Sequence, residues 1–153
     1  MTSVQIIEYG DEHHRAFKEL NVEWLDHYGL LEPRDMEALD DPRTRILDTG
    51  GIIYLAQCDN RIVGSAALLF EHDGVYELAK MAVAREYRGK GISKLLMEMC
   101  IKKANELKAS KITLFSNSQL QVALTLYEKY GFRHVPVENS PFATADVKME
   151  LML

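Results

Sequence analysis

The sequence of 153 residues is 47% hydrophobic and 27% charged, which is the composition of one ordinary globular domain. Its formal net charge of -5 counts against a nucleic-acid-binding protein, because such proteins usually carry an excess of lysine and arginine. The longest apolar run, Ile62–Phe70, is too short to cross a membrane, and the N-terminus does not resemble a signal peptide. We therefore expect residues 1–153 to form a single cytoplasmic domain without a nucleic-acid or membrane partner.

Several common kinds of site lack their sequence signature. The two cysteines, Cys58 and Cys100, are too few for a disulfide framework. No two of the five histidines have the spacing of metal ligands on a helix, and there is no HExxH motif, so we expect no metal. The GxSxG and GxxxxGK[ST] motifs are also missing, which counts against a serine hydrolase of that kind and a P-loop NTPase.

The first half of the chain predicts strands and helices in alternation. An opening strand at Val4–Tyr9 is followed by a helix that Asp11 caps and that runs to about His27. Residues 30–48 predict one or two short helices interrupted by prolines. Three strands joined by hairpin turns follow, at about Ile52–Gln57, Ile62–Phe70 and Val75–Val83.

The second half predicts two helices and three strands. The elements are a helix at about Gly91–Lys108, a strand at Ile112–Phe115, a helix at Ser118–Tyr130, and strands near Arg133–Val135 and Ala145–Leu151. In the second helix, Ser118 and Gln121 have the spacing of a capping box, and Gly131 is placed to end it. This order of elements predicts a mixed sheet covered by helices, an α/β or α+β architecture.

A basic, glycine-bearing loop joins the third of these strands to the next helix. Residues 80–94 contain five lysines or arginines and one acid, with Arg88-Gly89-Lys90-Gly91 at the centre. Glycines let the backbone approach a ligand closely, and no Ser, Thr, Asp or Asn directly precedes the helix to cap its free N–H groups. The loop therefore fits a bound phosphate, and it equally fits a solvated loop whose glycines only permit tight turns.

Two segments resemble signatures of the GNAT superfamily of N-acetyltransferases. Residues 83–100 (VAREYRGKGISKLLMEMC) are similar to its acyl-coenzyme A-binding motif, [Q/R]-x-x-G-x-[G/A], with Arg88, Gly91 and Ser93 at the specified positions. Ser93 departs from the final Gly or Ala of that motif. Residues 123–132 (ALTLYEKYGF) are similar to the second signature, A-x-x-LYEKxGF, and the order of elements matches over the whole chain.

The resemblance implies a fold, an activity and a set of cofactor contacts. The fold is a mixed, mostly antiparallel central sheet of six to seven strands flanked by about four helices. The activity is transfer of the acetyl group of acetyl-CoA, the co-substrate, to a primary amine by direct attack. The cofactor contacts that it implies are the pyrophosphate cradle Arg88, Gly89, Lys90, Gly91, Ile92 and Ser93, the pantetheine-pairing backbone of Met81, Ala82 and Val83, and the side chains of Asn117 and Tyr127.

Tyr127 and Glu77 are the candidate catalytic residues. The resemblance makes Tyr127, rather than Tyr130, the donor of a proton to the departing thiolate, although its helical spacing alone is better explained by packing. Glu77 resembles the base glutamate of the histone-modifying members. In the predicted strand it shares a face with apolar residues, where a charge is out of place, namely Val75, Ala79, Met81 and Val83. The alternatives for Glu77 are a solvent-facing position or a bulge that changes the facing, and many relatives use a chain of water molecules as the base instead.

Asn117 is open to two interpretations. Many family members carry an asparagine seven residues before the tyrosine, where this sequence has Leu120. Asn117 stands ten residues before Tyr127, and it either replaces that asparagine near the thioester or acceptor, or only ends a strand beside Ser118.

The acceptor is not identified by the sequence. The resemblance implies a small-molecule or peptide amine, and a homodimer is possible. The N-terminal helices are acidic, which fits a cationic acceptor, although such runs of charge are more often solvated helix faces. The acidic residues are Glu19, Glu23, Asp26, Glu32, Asp35 and Glu37. The alternative functions are a non-catalytic acyl-CoA-binding sensor or regulatory module, and a nucleotide- or nucleic-acid-binding protein, which the net charge disfavours.

Overall fold

The computed structural model describes residues 3–153, which contain seven strands and four α-helices in the predicted order. The strands are β1 (Val4–Glu8), β2 (Ile52–Cys58), β3 (Arg61–His72), β4 (Val75–Val83), β5 (Lys111–Ser116), β6 (Arg133–Val135) and β7 (Val147–Met152). The helices are α1 (His14–His27), α2 (Pro33–Asp40), α3 (Ile92–Glu106) and α4 (Gln121–Lys129). None of the helices within residues 3–153 is both long enough and apolar enough to cross a membrane.

All of these strands lie in one sheet, in the order β1-β2-β3-β4-β5-β7-β6. The pairing of β4 with β5 is parallel, and the other five pairings are antiparallel. The predicted mixed, mostly antiparallel sheet of six to seven strands flanked by about four helices is confirmed.

Helices α1 and α3 cover opposite faces of the sheet. Neighbouring residues of a strand face opposite sides, and on β3 the Ser65 hydroxyl accepts a hydrogen bond from Asn21 of α1. A Cβ added to Gly64 would lie 3.0 Å from Ile92 and 3.1 Å from Leu96 of α3. This close approach fixes the start of α3 against the sheet, beside the end of β4.

Two predicted helix caps are wrong, because other partners bind their side chains. The Asp11 carboxylate accepts hydrogen bonds from the Arg43 guanidinium, and α1 begins only after a 3-10 turn. The Ser118 hydroxyl donates to Asp146 at 2.7 Å instead of capping a helix, and α4 begins three residues later than predicted. β7 also begins two residues later than predicted. Gly131, with φ +97°, ends α4 as predicted.

β4 contains a β-bulge that changes which of its side chains share a face. Its register with β3 shifts by one residue around Lys80, whose φ is +55°. An extra residue in one strand reverses the alternation beyond it, so Ala82 lies on the face of Glu77. The prediction that Met81 and Val83 share the face of Glu77 is therefore wrong.

Candidate functional site

The parallel strands β4 and β5 separate along their length and open a cavity between them. They pair only at Val75–Glu77 and Lys111–Thr113, whereas β4 continues to Val83 and β5 to Ser116. The separation leaves one edge of β4 without a strand beside it and creates a cavity of ≈ 340 Å³. The predicted site residues that line this cavity are Glu77, Met81, Ala82, Val83, Ser93, Asn117 and Tyr127.

The loop before α3 fits an anionic group. Gly89 and Gly91 have φ values of +76° and +81°, and a Cβ at either position would meet no atom within 4 Å. Gly91 precedes α3 and offers no side chain to cap the first N–H groups of the helix. Ile92 is buried in the core, so its contribution to such a site is its backbone. Together with Lys90, this backbone provides donors and positive charge for a phosphate.

The Arg88 side chain folds back against the protein. Its Nε donates to the Val83 carbonyl at 3.0 Å, and its guanidinium lies 4.6 Å from the Trp24 ring centre and 3.8 Å from Glu23. One guanidinium nitrogen, Nη2, is buried without a hydrogen-bond partner. Arg88 thus connects the loop to α1 and to the end of β4, and its buried Nη2 remains a free hydrogen-bond donor.

Tyr127 lies at the wall of the cavity, and Tyr130 does not. The Tyr127 ring packs 5.9 Å from that of Phe132, and burial raises the pKa of its hydroxyl to about 12. The phenol therefore stays protonated at neutral pH and is able to donate. The Tyr130 hydroxyl instead donates to Glu98 on α3 at 2.7 Å.

Glu77 is a buried carboxyl group, 7% exposed, at the deep end of the β4–β5 opening. Burial raises its pKa to about 8, and a hydrogen bond and like charge from Glu71 add to the rise, whereas Lys80 and Arg34 oppose it. A carboxyl with a pKa near neutrality is suited to accept a proton.

A buried ion pair, which the sequence analysis missed, lies beside Glu77. The Lys80 ammonium is 3.0 Å from the Asp35 carboxylate, and their side chains are only 6% and 7% exposed. The sequence offered no signal for this pair, because the bulge and the placement of α2 bring Lys80 and Asp35 together.

A chain of buried hydrogen bonds holds the bulge in place. The Asn21 amide donates to the Ser65 hydroxyl at 3.0 Å, and that hydroxyl donates to the Lys80 carbonyl at 2.6 Å. Asn21 and Ser65 are 2% and 0% exposed, so these bonds are shielded from water. Both residues were also missed, because small polar residues inside apolar patterns carry no distinct signal.

Asn117 lines the cavity, but its amide is engaged by the protein. Its Nδ2 donates to the Thr144 carbonyl at 2.7 Å, and its Oδ1 accepts from the Gln119 backbone N–H at 3.0 Å. Leu120, at the position where many family members carry asparagine, also lines the cavity. Asn117 therefore connects the end of β5 to the segment before β7.

Among the six acids of the N-terminal helices, only Asp35 lines the cavity, and Lys80 pairs with it. Glu32 accepts hydrogen bonds from Ala143 and Thr144, which lower the pKa of its carboxyl. Glu19 lies near Arg15 on the exposed surface. Within residues 3–153, no three His, Cys, Asp or Glu side chains are grouped to hold a metal ion.

Comparisons with known proteins agree with this geometry. The sequence profile of the acetyltransferase (GNAT) family matches residues 14–132. An N-acetylaspartate synthetase of Xenopus tropicalis is 38% identical over 89 residues, which are 58% of this chain and 33% of that protein. An uncharacterized N-acetyltransferase of Mycobacterium tuberculosis is 35% identical over 104 residues, 68% of this chain and 62% of that protein. The chain thus spans about a third of the synthetase.

Solved structures share the fold. A GNAT acetyltransferase of Staphylococcus aureus Mu50 superposes with a TM-score of 0.86 at 22% identity, covering 97% of this chain and 98% of that one. The PaiA N-acetyltransferase of Thermoplasma acidophilum, solved in complex with coenzyme A, gives 0.79 at 18% identity and 99% coverage of both chains. From the family profile together with this fold, the chain belongs to the GNAT family of acetyltransferases.

Proposed function

We propose that the protein transfers the acetyl group of acetyl-CoA to the nitrogen of a primary amine, as an acyltransferase of class EC 2.3.1.-. One observation carries the proposal. The unpaired edge of β4, the start of α3, Tyr127 and Glu77 all border the same opening in the sheet. Binding, proton acceptance and proton donation are thus available within one cavity.

The chain fits acetyl-CoA along the loop and the β4 edge. The backbone N–H groups of residues 88–93 bind the pyrophosphate, and the helix dipole of α3 favours its negative charge. The backbone of Met81–Val83 pairs with the pantetheine arm as a strand pairs with its neighbour. One of these N–H groups polarises the carbonyl oxygen. Acetyl-CoA, when bound, supplies the thioester whose acetyl group is transferred.

Two side chains accept and donate the protons of the acetyl transfer. Glu77, once ionised, accepts a proton from the attacking amine, and its pKa of about 8 makes it a stronger base than an ordinary carboxylate. Tyr127 donates a proton to the departing sulfur, since the raised pKa of its hydroxyl keeps it protonated until then.

The acceptor is proposed to be a small molecule or a peptide amine, not a nucleic acid or a lipid. The name N-acetylaspartate synthetase, carried by several relatives, adds amino acids to the candidate acceptors. We further propose that the protein works in the cytoplasm, as a monomer or a homodimer.

Release of free thiol from acetyl-CoA tests the proposal. The wild-type protein would be assayed with amino acids, polyamines, amino sugars and lysine peptides, beside Tyr127→Phe. The matched control is Tyr130→Phe, which removes a hydroxyl from the same helix end outside the cavity. We expect at least one amine class to support release, with a loss of about 10²-fold or more in Tyr127→Phe and little loss in the control.

Two results would contradict parts of this proposal, the first the role of Tyr127 and the second the transfer itself. Equal activity in Tyr127→Phe and the control would remove Tyr127 as the proton donor. Tight binding of acetyl-CoA without thiol release for any amine would instead favour a non-catalytic acyl-CoA sensor.

A further inference from the structure

A second cavity lies beyond Glu77 on the same face of the sheet. In the register of the strands, Glu77 lies beside Thr113 of β5, and Phe115, two residues later, lies opposite Lys148 of β7. These side chains therefore share one face. The second cavity has a volume of ≈ 430 Å³, is open to solvent and has a mainly polar lining. Glu77 and Phe115 line both cavities, so the two spaces meet there.

Positive groups surround two aromatic rings at this junction. The Phe115 and Phe142 ring centres lie 6.5 Å apart. The Lys148 ammonium is 5.5 Å from the Phe115 ring centre, and the Arg34 guanidinium is 5.9 Å from that of Phe142. The Lys80 ammonium approaches the Phe142 ring to 5.8 Å from the cofactor side. Three cations thus come close to one pair of rings.

The charges of this region are not all matched. Lys80 is neutralised by Asp35, and burial together with Glu71 raises the pKa of Glu77 to about 8, so the Glu77 carboxyl is mostly neutral at neutral pH. Within residues 3–153, neither Arg34 nor Lys148 has a carboxylate within the 4.0 Å of an ion pair. Glu138, the remaining acid of the second cavity, is exposed. The two cations nearest the opening are therefore available to a ligand.

We propose that the second cavity binds the acceptor and that the acceptor is an amino acid, whose carboxylate lies between Arg34 and Lys148. Its amine then reaches Glu77, where the cavity meets the cofactor side. This inference rests on the proposed acetyl transfer and names the substrate class for it. Guanidinium and ammonium groups bind carboxylates through charge-assisted hydrogen bonds. The acidic N-terminal helices, which fitted a cationic acceptor, contribute to the lining of these cavities only Asp35, which is already paired.

The bonds and protons of the acetyl transfer balance with the groups at this junction. The acceptor nitrogen forms a bond to the acetyl carbon, and the carbon–sulfur bond breaks. One proton passes from the nitrogen to Glu77, and one passes from Tyr127 to the sulfur. The products are an N-acetylamino acid and a thiol, and proton exchange with water restores both side chains.

Pairs of acceptors that differ only in the carboxylate test the assignment. Suitable pairs are L-leucine with isoamylamine and L-lysine with cadaverine, compared by kcat/KM for thiol release from acetyl-CoA. We expect the amino acid of at least one pair to be favoured about tenfold or more. The lysine pair separates a carboxylate requirement from a preference for cationic amines, because cadaverine carries two positive charges and no carboxylate.

Charge-removing variants locate the carboxylate. Arg34→Gln and Lys148→Gln are each expected to raise the KM for the amino acid about tenfold, with the KM for acetyl-CoA unchanged. The controls are Arg45→Gln and Lys102→Gln, exposed residues outside both cavities, which should leave both KM values unchanged. Binding of the amino acid to the complex with coenzyme A, measured by calorimetry, gives a readout that needs no turnover.

The outcomes separate this inference from the activity itself. Thiol release without any carboxylate preference, or the same KM in Arg34→Gln, Lys148→Gln and the controls, would overturn the acceptor class and leave the transferase intact. Absence of thiol release with every amine would count against the transferase. In that case, amino-acid binding that Arg34→Gln and Lys148→Gln both weaken would still support the subsite, and no binding by the wild type would overturn it.

Discussion

Glu77 and Tyr127 are protonated near neutral pH for the same reason, which is that burial disfavours their charged forms. The proposed reaction uses them in opposite directions. Tyr127, with a pKa of about 12, must lose its proton to the sulfur, and Glu77, with a pKa of about 8, must already have lost its proton. The pH at which the enzyme becomes active is therefore set by Glu77.

We expect kcat/KM to rise with pH to a midpoint near 8 and Glu71→Gln to shift the midpoint to lower pH. Glu71 raises the pKa of Glu77 by its charge and hydrogen bond, so its neutralisation lets Glu77 ionise earlier. The other charged groups around Glu77 stay in place, namely Arg34, Asp35, Lys80, Glu138 and Lys148. A pH–rate profile with one acceptor for both proteins measures the shift.

The control for this shift is Asp73→Asn, which removes an exposed acid from the same hairpin outside both cavities. Its profile should match that of the wild type. An unchanged midpoint in Glu71→Gln would mean that the titrating group is the amine acceptor or another residue.

At the level of single residues, similarity to the family signatures predicted more of the site than the polar and apolar pattern of the sequence did. Tyr127 and Gly91 were chosen because they match signatures; Tyr127 lines the cavity, and Gly91 lies in the loop directly before α3. Lys80 and Asp35 are 45 residues apart in sequence, and only the bulge and the helix packing bring them together. Such a pair is invisible until the fold is known.

Among the elements, β4 contributes most to the site, through a bulge and an unpaired edge. The left-handed φ of Lys80 is unfavourable for a residue with a side chain, so neighbouring groups must stabilise it. Ser65 does so from β3 by donating to the Lys80 carbonyl, and Asn21 does so from α1 by donating to Ser65.

Ser65→Ala is expected to destabilise the fold by about 1–3 kcal/mol, since it removes the hydroxyl donor to the Lys80 carbonyl and the acceptor of one Asn21 amide N–H, whose other N–H still donates to the Phe17 carbonyl. It should also raise the KM for acetyl-CoA, because the bulge sets the β4 edge. Urea unfolding and steady-state kinetics measure the two effects. Ser65→Cys keeps a similar volume and a weaker donor, so its effects should be intermediate; full recovery by Ser65→Cys would instead indicate packing alone.

Gly91→Ala is expected to weaken acetyl-CoA binding about tenfold or more, because a methyl group would occupy the space into which a phosphate fits. Gly29→Ala is its matched control, as Gly29 has φ +67° and the same open surroundings away from the cradle. Both variants carry a backbone cost of about 1 kcal/mol. Calorimetric titration with coenzyme A compares them, and equal affinities would exclude the loop as the phosphate site.

The order and type of the elements followed from periodicity, but their ends did not. Helices α1 and α4 begin later than predicted because Asp11 and Ser118 bind Arg43 and Asp146, partners distant in the sequence. The bulge in β4 was considered only as one alternative for Glu77, since no glycine at Lys80 marks its position. The local sequence does not show which side chains will bind residues distant in the sequence instead of capping a helix.

For the whole molecule, Glu77 makes stability depend on pH. Its folded pKa of about 8 exceeds the ordinary value of 4.5, so the folded protein holds the proton through that window while the unfolded chain loses it. The stability of the wild type therefore falls as pH rises from 4.5 to 8, as far as this group is concerned.

Glu77→Gln is expected to abolish this dependence and most of the activity. Relative to the wild type, the variant should gain about 2–3 kcal/mol in free energy of unfolding between pH 6 and pH 9. Urea unfolding at the two pH values measures the gain, with exposed Glu138→Gln as the control. If the free energies of unfolding of the variant and the wild type differ by the same amount at both pH values, Glu77 has an ordinary pKa.

The separation of β4 and β5 also affects the risk of aggregation, because it leaves a strand edge unpaired. Unpaired strand edges are ready templates for other chains, and proteins with exposed edges risk aggregation. Here the open edge lies in the interior of the sheet, at the floor of a cavity walled by α1 and α4. The helices that wall the cavity stand between this edge and a strand of another folded protein, whereas the proposed pantetheine arm, with its amide groups, can lie along it. The same depth that admits the intended ligand keeps this edge from acting as a seed for self-association.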